Sequence, residues 1–400
     1  MIPLQAESLG AARAALQAWT GREAYIHMET TQGAYARHHR GEVHPVGGFV
    51  RNARLYIERA ALAGSGPYRL GLVTSDGYAM IEGLTHWEDG IVPGALAFYG
   101  LIPDGKLAAA IILSAAPLYT AGRQVVSQEW VDVAGDRSSP TPSERDGGND
   151  RGDSDRGEAA SGRLEAVRGR RTVLSIFPHP DDETFAAGAT LARFAAEGAR
   201  VVAVCLSLGE LGRSLGEPPT ASRATLPSVR REELRAAAAA LGIERLLLYH
   251  LHDKTIEFLD RAALIASIRE TIEALRPETI ITYYPGYSVH PDHEATGDAV
   301  VRAVAALPRD RRPTVLATGF ASNRAALGPP TLVVDTTPYW PKKLAAMRAH
   351  WTQTAALLRT LKTDAEKDVA SDAAPPLERF REEVFWQIDV DRYTPYDRTD

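Results

Sequence analysis

The feature of this 400-residue chain that most restricts its fold is a regular alternation of strand-like and helix-like segments after Arg171. The strand-like apolar runs lie near 172–177, 200–206, 245–250, 279–284 and 314–318, and the helical patterns near 183–197, 229–241, 261–275 and 293–306. This order is typical of a mostly parallel sheet with helices on both faces. We therefore predict an α/β, Rossmann-like fold for this part of the chain.

The first 133 residues have a different pattern. Runs rich in β-branched and aromatic residues, such as Glu23–Thr30 and Tyr68–Val73, are separated by turn signals such as Ser75-Asp76-Gly77. One helix is predicted near Gly10–Trp19. This half is therefore expected to be a small, mainly-β domain, either a barrel or a sandwich.

The segment 134–169 separates the two patterns. It contains almost no large apolar side chains, so it cannot bury enough surface to offset the entropy lost on ordering. We predict a disordered linker there, between a domain over 1–133 and a second domain over 170–400.

Composition restricts the partners. The formal net charge of −6 argues against a nucleic-acid or anionic-membrane surface, because both recruit clustered Lys and Arg. A small molecule is the expected partner, and a homo-oligomer is compatible with the sequence. Neither a signal peptide nor an apolar run of membrane-spanning length is visible, so a cytoplasmic location is expected. The single cysteine, Cys205, lies in an apolar run and is predicted to be a buried core residue.

Two clusters of ionisable residues follow predicted strands. The stretch FPHPDDETF begins at Phe177, and PGYSVHPDHEATG follows the strand near 279–284. Ligands bind at the carboxyl ends of the strands in such sheets. Together the clusters offer His179, Asp182 and His293, and three N/O ligands with an open fourth position are typical of catalytic zinc. The Gly-x-Gly-x-x-Gly pattern of a dinucleotide site is not found after the first strand.

Asp181 is next to a predicted ligand and is a candidate general base for water. The alternative for Asp182 is a simple helix N-cap, and His-Pro-Asp alone is a common loop tripeptide. The four histidines of the first half lack a matching carboxylate pattern and are expected to be surface or hydrogen-bonding residues: His27, His38, His39 and His44.

From about Arg171 to Leu361 the chain resembles the LmbE/PIG-L family of zinc-dependent N-acetylglucosaminide deacetylases. The matching segments are PHPDDE, RREELRAAAAALG, HPDH and HWTQT. Within that family, LHDKTIEF and YYPGYSVHPDHEATG resemble the deacetylases that act on N-acetylglucosaminyl-malate in bacillithiol biosynthesis. In the first half, AYIHMETTQGAYARHH and GSGPYRLGL are similar to a small companion protein of unknown function.

The resemblance implies one zinc ion per chain, held by His179, Asp182 and His293, with Asp181 activating water. It also implies that His290 stabilises the oxyanion or protonates the leaving amine. Asp292 is expected to orient the imidazole of His290.

Three further residues are expected to contact substrate. Arg230 and Asp253 match family positions that hydrogen-bond sugar hydroxyls, although an ion pair between Arg230 and Glu233 is an equal alternative. Arg213 lies in a Gly/Pro-rich loop after the second strand, and we expect its guanidinium to bind a malate carboxylate.

The sequence therefore predicts a zinc hydrolase that removes acetate from N-acetylglucosaminyl-malate. A bacillithiol S-conjugate amidase or another N-acetylglucosaminide deacetylase would use the same centre. A non-catalytic, metal-retaining binding module is the alternative from a different class, and the presence of Asp181 argues against it.

Overall fold

The computed structural model describes residues 1–31, 47–90, 92–118, 128–133, 171–320, 323–366 and 380–394. The predicted linker over 134–169 lies outside these residues, as do His38, His39 and His44. His27 is buried, and its Nε2 lies 3.1 Å from Ser114 Oγ, as expected of a hydrogen-bonding histidine.

The first half contains one sheet of eight strands. Their bounds are β1 (Ile2–Pro3), β2 (Arg22–Thr31), β3 (Gly47–Ala63), β4 (Tyr68–Thr74), β5 (Gly77–Leu84), β6 (His86–Asp89), β7 (Ala95–Leu101) and β8 (Leu107–Ser114). Neighbouring strands are antiparallel, in the order β1-β6-β7-β8-β2-β3-β4-β5. Helix α1 (Ala6–Gln17) begins four residues before the predicted Gly10 and packs Leu16 into the core of this sheet. The mainly-β prediction is confirmed.

The second sheet also has eight strands. They are β9 (Glu129–Asp132), β10 (Thr172–Phe177), β11 (Arg200–Ser207), β12 (Arg245–Leu251), β13 (Thr279–Tyr283), β14 (Thr314–Thr318), β15 (Leu332–Asp335) and β16 (Glu382–Gln387). The spatial order is β15-β16-β14-β13-β10-β11-β12-β9. Strands β10 to β14 are parallel, whereas β9, β15 and β16 pair antiparallel at the two edges.

Helices cover both faces of the second sheet. They are α2 (Asp182–Ala196), α3 (Leu226–Leu241), α4 (Arg261–Leu275), α5 (Pro291–Ala305), α6 (Trp340–Ala349) and α7 (Trp351–Glu366). Leu191 of α2 and Leu234 of α3 pack in one core cluster, and Ile268 of α4 and Val300 of α5 pack in another. The two clusters take alternate residues of the central strands, as expected for a sheet buried on both faces. The Rossmann-like α/β prediction is confirmed.

Strand β9 comes before the predicted linker in sequence, but it belongs to the second sheet. Its Val131 pairs with Leu246 of β12. The division into domains at 133 and 170 stays a prediction.

Cys205 is a buried core residue, as predicted. In the described part of the chain, the helices are too short or too polar to cross a membrane.

The two halves pack against each other beside the carboxyl ends of the parallel strands. Ala97 and Ile112 of the first sheet share a buried cluster with Leu226 at the start of α3. The backbone N–H of Leu107 donates to the carbonyl of Arg213 at 3.0 Å. The first half therefore lies against the loop that joins β11 to α3.

Candidate active site

The two predicted clusters meet at the carboxyl ends of β10 and β13. His179, Asp181 and Asp182 follow β10 in the turn that starts α2, and His293 lies in the first turn of α5 after β13. Asp181 has a φ of 95°, a left-handed conformation that is uncommon for a residue with a side chain. This turn lets the adjacent Asp181 and Asp182 carboxylates point to different partners.

The ligating atoms of the three predicted metal ligands form a compact triangle. Nδ1 of His179 is 3.3 Å from Nε2 of His293 and 3.4 Å from an Asp182 carboxylate oxygen. The other Asp182 oxygen is 3.5 Å from His293 Nε2. Metal–ligand bonds of about 2.0–2.1 Å in tetrahedral geometry place ligand atoms about 3.3–3.4 Å apart. The spacing and the donor types therefore fit a tetrahedrally coordinated divalent ion such as zinc.

A second group, made of His179, His290 and Asp292, also has ligand atoms within 4.8 Å of one another. The Asp292 carboxylate already accepts the backbone N–H groups of Lys254 at 2.7 Å and Ile256 at 3.1 Å. The residues of the group with Asp182 and His293 are all buried, whereas His290 is half-buried and its Nδ1 already accepts a backbone N–H, so the group with Asp182 and His293 is the better candidate.

The remaining nitrogen of His179 has carboxylate partners. Its Nε2 lies 3.1 Å from Asp292 Oδ2 and 3.2 Å from Asp253 Oδ1. A metal-binding histidine commonly donates its other ring N–H to a carboxylate, which fixes the tautomer. Burial lowers the pKa of His179, but Asp253, Asp182 and Asp292 raise it to well above the ordinary value.

These contacts change the predicted partner of Asp292. The sequence predicted that Asp292 orients His290, whereas its carboxylate bonds the predicted metal ligand His179. The carboxylate is fully buried at the start of α5, so His179 is the imidazole that it positions.

Each oxygen of the Asp182 carboxylate accepts a hydrogen bond within the site. Its Oδ2 accepts the backbone N–H of His179 at 3.0 Å, and its Oδ1 accepts the Tyr283 hydroxyl at 2.8 Å. Burial raises the pKa of Asp182, but His293, His179 and Tyr283 outweigh it and hold that pKa well below the usual range. The N-cap position belongs to Asp181, which makes no side-chain cap bond.

Tyr283 was not identified from the sequence. Its ring stacks on the His293 ring with centroids 4.2 Å apart and an interplanar angle of 10°. The only sequence signal is its place as the last residue of β13, directly before the His290–His293 cluster.

Asp181 is held by Arg230. Arg230 Nη2 lies 3.2 Å from Asp181 Oδ2 and also bonds the Pro180 carbonyl, while Nη1 donates to the Gly209 carbonyl at 2.8 Å. A Cβ at Gly209 would overlap the Arg230 guanidinium, so this close approach requires glycine. Burial raises the pKa of Asp181 to about 6, against the opposing effect of Arg230.

These contacts bear on both sequence interpretations of Arg230. Arg230 pairs with Asp181 and not with Glu233. The Glu233 carboxylate instead accepts the backbone N–H of Thr352 at 2.7 Å and the Thr352 hydroxyl at 2.6 Å. A contact of Arg230 with sugar hydroxyls stays a prediction. Its buried guanidinium is already bonded to Asp181 and two carbonyls.

A buried pair, Glu183 and His350, stabilises the turn that contains Asp181. Glu183 Oε2 accepts the backbone N–H of Asp181 at 3.1 Å, and its Oε1 lies 2.8 Å from Nε2 of His350. Burial lowers the pKa of His350, but Glu183 raises it above the ordinary value. His350 opens the segment HWTQT, which sequence reasoning matched to a family without giving it a role.

His290 is at the N-cap of α5. Its Nδ1 accepts the backbone N–H of Asp292 at 3.1 Å, which leaves the proton of a neutral imidazole on Nε2. Burial lowers the pKa of His290 to about 3, and the neighbouring His179 and His293 contribute. The ring is therefore neutral at ordinary pH, a state that can donate a hydrogen bond to a developing oxyanion.

Two residues predicted to bind substrate have protein partners. Asp253 accepts the backbone N–H of Leu211 at 2.9 Å and lies against His179, while its own N–H donates to Glu210 at 3.0 Å. Arg213 Nε donates to the carbonyl of Leu107 in the first half at 3.1 Å. Their proposed contacts with sugar and malate stay predictions.

Comparison with known proteins gives separate matches for the two halves. Residues 174–304 match the PIG-L family, described as GlcNAc-PI de-N-acetylase, and residues 8–118 match DUF1806, a family of unknown function. The chain is 42% identical over 221 residues to the probable N-acetyl-alpha-D-glucosaminyl L-malate deacetylase 2 of Bacillus anthracis. That alignment covers 55% of this chain and 96% of the relative.

The protein of the same name from Bacillus subtilis is 38% identical over 215 residues, or 54% of this chain and 96% of the relative. The uncharacterized protein YojF of Bacillus subtilis is 37% identical over 105 residues, or 26% of this chain and 90% of that protein. The resemblances predicted from the motifs are confirmed for both halves.

Proposed function

Because the chain belongs to the PIG-L family of de-N-acetylases through its second half and to the DUF1806 family through its first, we propose that it removes acetate from N-acetylglucosaminyl-malate with the help of one zinc ion. The reaction adds water to the acetyl carbonyl and breaks its C–N bond, giving acetate and a free amine. The proposed step belongs to bacillithiol biosynthesis.

The observation that carries this proposal is the placement of a carboxylate beside a three-ligand site. His179, Asp182 and His293 would hold the zinc ion, which when bound supplies a Lewis acid for the acetyl carbonyl and activates water. Asp181 is 19% exposed and has a pKa near 6, which suits a base that takes a proton from water at neutral pH. A module that only bound metal would need the ligands but no such base.

His290 is proposed to stabilise the oxyanion. Its neutral ring has a donor on Nε2, because Nδ1 is already an acceptor for a backbone N–H. The carboxyl proton that Asp181 gains from water is then available for the leaving amine. The same carboxylate therefore acts first as a base and then as an acid.

The substrate is proposed from the relatives. The proteins from Bacillus that match the second half are named as probable deacetylases of an N-acetylglucosaminyl malate, and their alignments cover almost their whole length. A malate aglycone adds two carboxylates to the neutral sugar, so the site should contain cationic groups near the metal ligands.

The test is steady-state hydrolysis by the purified full chain loaded with zinc. We expect acetate release from N-acetylglucosaminyl-malate and little cleavage of a bacillithiol S-conjugate. The reverse preference would indicate the amidase. A chain that binds metal but turns over neither compound would support the non-catalytic alternative.

A further inference from the structure

The loop after β12 lies between the metal ligands and the first half. Asp253 contacts His179 Nε2, and the backbone N–H of Lys254 donates to Asp292 Oδ2 at 2.7 Å. Asp292 in turn bonds His179. The backbone of Lys254 therefore forms part of the wall of the metal site.

The side chain of Lys254 extends from this wall to the first half. Its Nζ lies 4.6 Å from the centroid of the Phe49 ring, within the range of a cation–π contact. Phe49 is in β3 and is 38% exposed. A residue of the first half thus contacts the ammonium group of a residue whose backbone borders the candidate active site.

Lys254 lacks a neutralising partner among the residues that the structure describes. None of their carboxylates forms an ion pair with its Nζ, although the side chain is half-buried. Burial lowers the pKa of Lys254, and the charges of Arg223 and Arg213 lower it further, against the opposing effects of Asp253 and Glu29. An anionic ligand would stabilise this charge.

Glu29, the first-half carboxylate whose charge raises the pKa of Lys254, is already neutralised. Glu29 accepts hydrogen bonds from Arg223 Nη2 at 2.6 Å and from Arg51 Nη2 at 2.7 Å, one to each oxygen. Both oxygens of the Glu29 carboxylate therefore already accept hydrogen bonds from arginines. The other nearby carboxylate, Asp253, is bonded to His179 and the backbone of Leu211.

We propose that Lys254, held in place by Phe49, binds a carboxylate of the substrate's anionic aglycone, so that the first half completes the substrate site. This inference rests on the proposed function, since it assigns the part of the site that distinguishes an acidic glucosaminide from a neutral one. It also gives the first half a role in substrate specificity, because the contact with the Phe49 ring restricts where the Lys254 ammonium group can lie.

The test compares kcat/KM for N-acetylglucosaminyl-malate and for N-acetylglucosamine in the full chain. Lys254→Met keeps an unbranched side chain of nearly the same length but removes its charge, and we expect the preference for the malate compound to fall about tenfold, mainly through KM. Lys254→Arg should retain most of that preference. The matched control is Lys342→Met, at an exposed position of α6, which should leave the preference unchanged.

A second pair of variants tests the first half. Phe49→Leu keeps an apolar side chain but removes the ring, and we expect the preference to fall about threefold. Tyr78→Leu, at an exposed aromatic of β5, is its control. If Phe49→Leu lowers kcat/KM for both compounds equally, the ring has only a structural role and the proposed subsite is wrong.

Binding of L-malate to the metal-loaded protein, measured by calorimetry, separates this inference from the proposed function. The inference predicts that Lys254→Met weakens L-malate binding about tenfold, whatever the turnover. Equal binding by the wild type and Lys254→Met, or a lack of binding by the wild type, would overturn it. A wild type that binds L-malate through Lys254 but releases no acetate would instead contradict the proposed function.

Discussion

At the scale of the residue, the account depends on Asp181. Its left-handed backbone costs about 1–3 kcal/mol and persists only because surrounding contacts hold it. Arg230 bonds its carboxylate, and Glu183 accepts its backbone N–H. This conformation separates the Asp181 carboxylate from that of Asp182, so the proposed base and the proposed metal ligand can point to different partners.

The first prediction concerns the side chain of Asp181. Asp181→Asn should retain metal, because the three ligand residues are unchanged, but kcat should fall about a hundredfold or more with loss of the base. Metal content and acetate release would be measured together. Asp310→Asn, at an exposed position, is the matched control. Near-wild-type turnover by Asp181→Asn would remove this residue from the mechanism.

At the scale of the element, the loop between β11 and α3 is attached to strand β2. Arg223 of this loop is fully buried, and it bonds both Glu29 of β2 and the carbonyl of Gly212. The same loop contains Glu210, which fixes the backbone of Asp253. A strand of the first half therefore stabilises a loop that borders the active site.

The second prediction tests this attachment. Glu29→Gln removes the carboxylate that pairs with the buried guanidinium of Arg223, so the free energy of unfolding should fall by about 3 kcal/mol. Glu23→Gln is the matched control, since Glu23 is also in β2 and pairs with Arg54 in solvent. Its effect should be much smaller in the same urea titration, because water screens an exposed pair. Equal effects of the two substitutions would show that the buried pair does not stabilise the fold.

The alternation of apolar runs and helical periods predicts the five parallel strands and helices α2 to α5, because each of these elements carries its own hydrophobic pattern; helices α6 and α7 are not predicted. The edge strands β9, β15 and β16 are not predicted, because each is defined by the strand it pairs with. The grouping of the candidate metal ligands is predictable, because the carboxyl ends of neighbouring parallel strands lie at the same edge of a sheet. The partners of Asp292 and Arg230 depend on tertiary packing, which short motifs do not encode.

At the scale of the whole molecule, the two halves are joined by more than the predicted linker. Leu226 of α3 is buried against Ile112 of β8, and β9 from before the linker pairs with β12. A buried apolar cluster and a buried ion pair at one junction are expected to keep the halves associated.

The third prediction follows from this junction. Limited proteolysis should cut first within 134–169 if that segment is a disordered linker, and the two fragments should then elute together in size-exclusion chromatography. Leu226→Ala should promote their separation, because it removes apolar contact from the junction. Fragments that separate at once in the wild type would show that the junction is too weak to hold the first half beside the active site.

The central claim is that one metal ion, held by His179, Asp182 and His293, is required for deacetylation. The most direct measurement is acetate release from N-acetylglucosaminyl-malate while zinc is titrated into chelator-stripped full chain. The account predicts negligible release without metal and a rise that reaches its maximum at about one ion per chain, with no such rise in His293→Ala. Full activity in the stripped protein, or an unchanged titration in His293→Ala, would contradict the account.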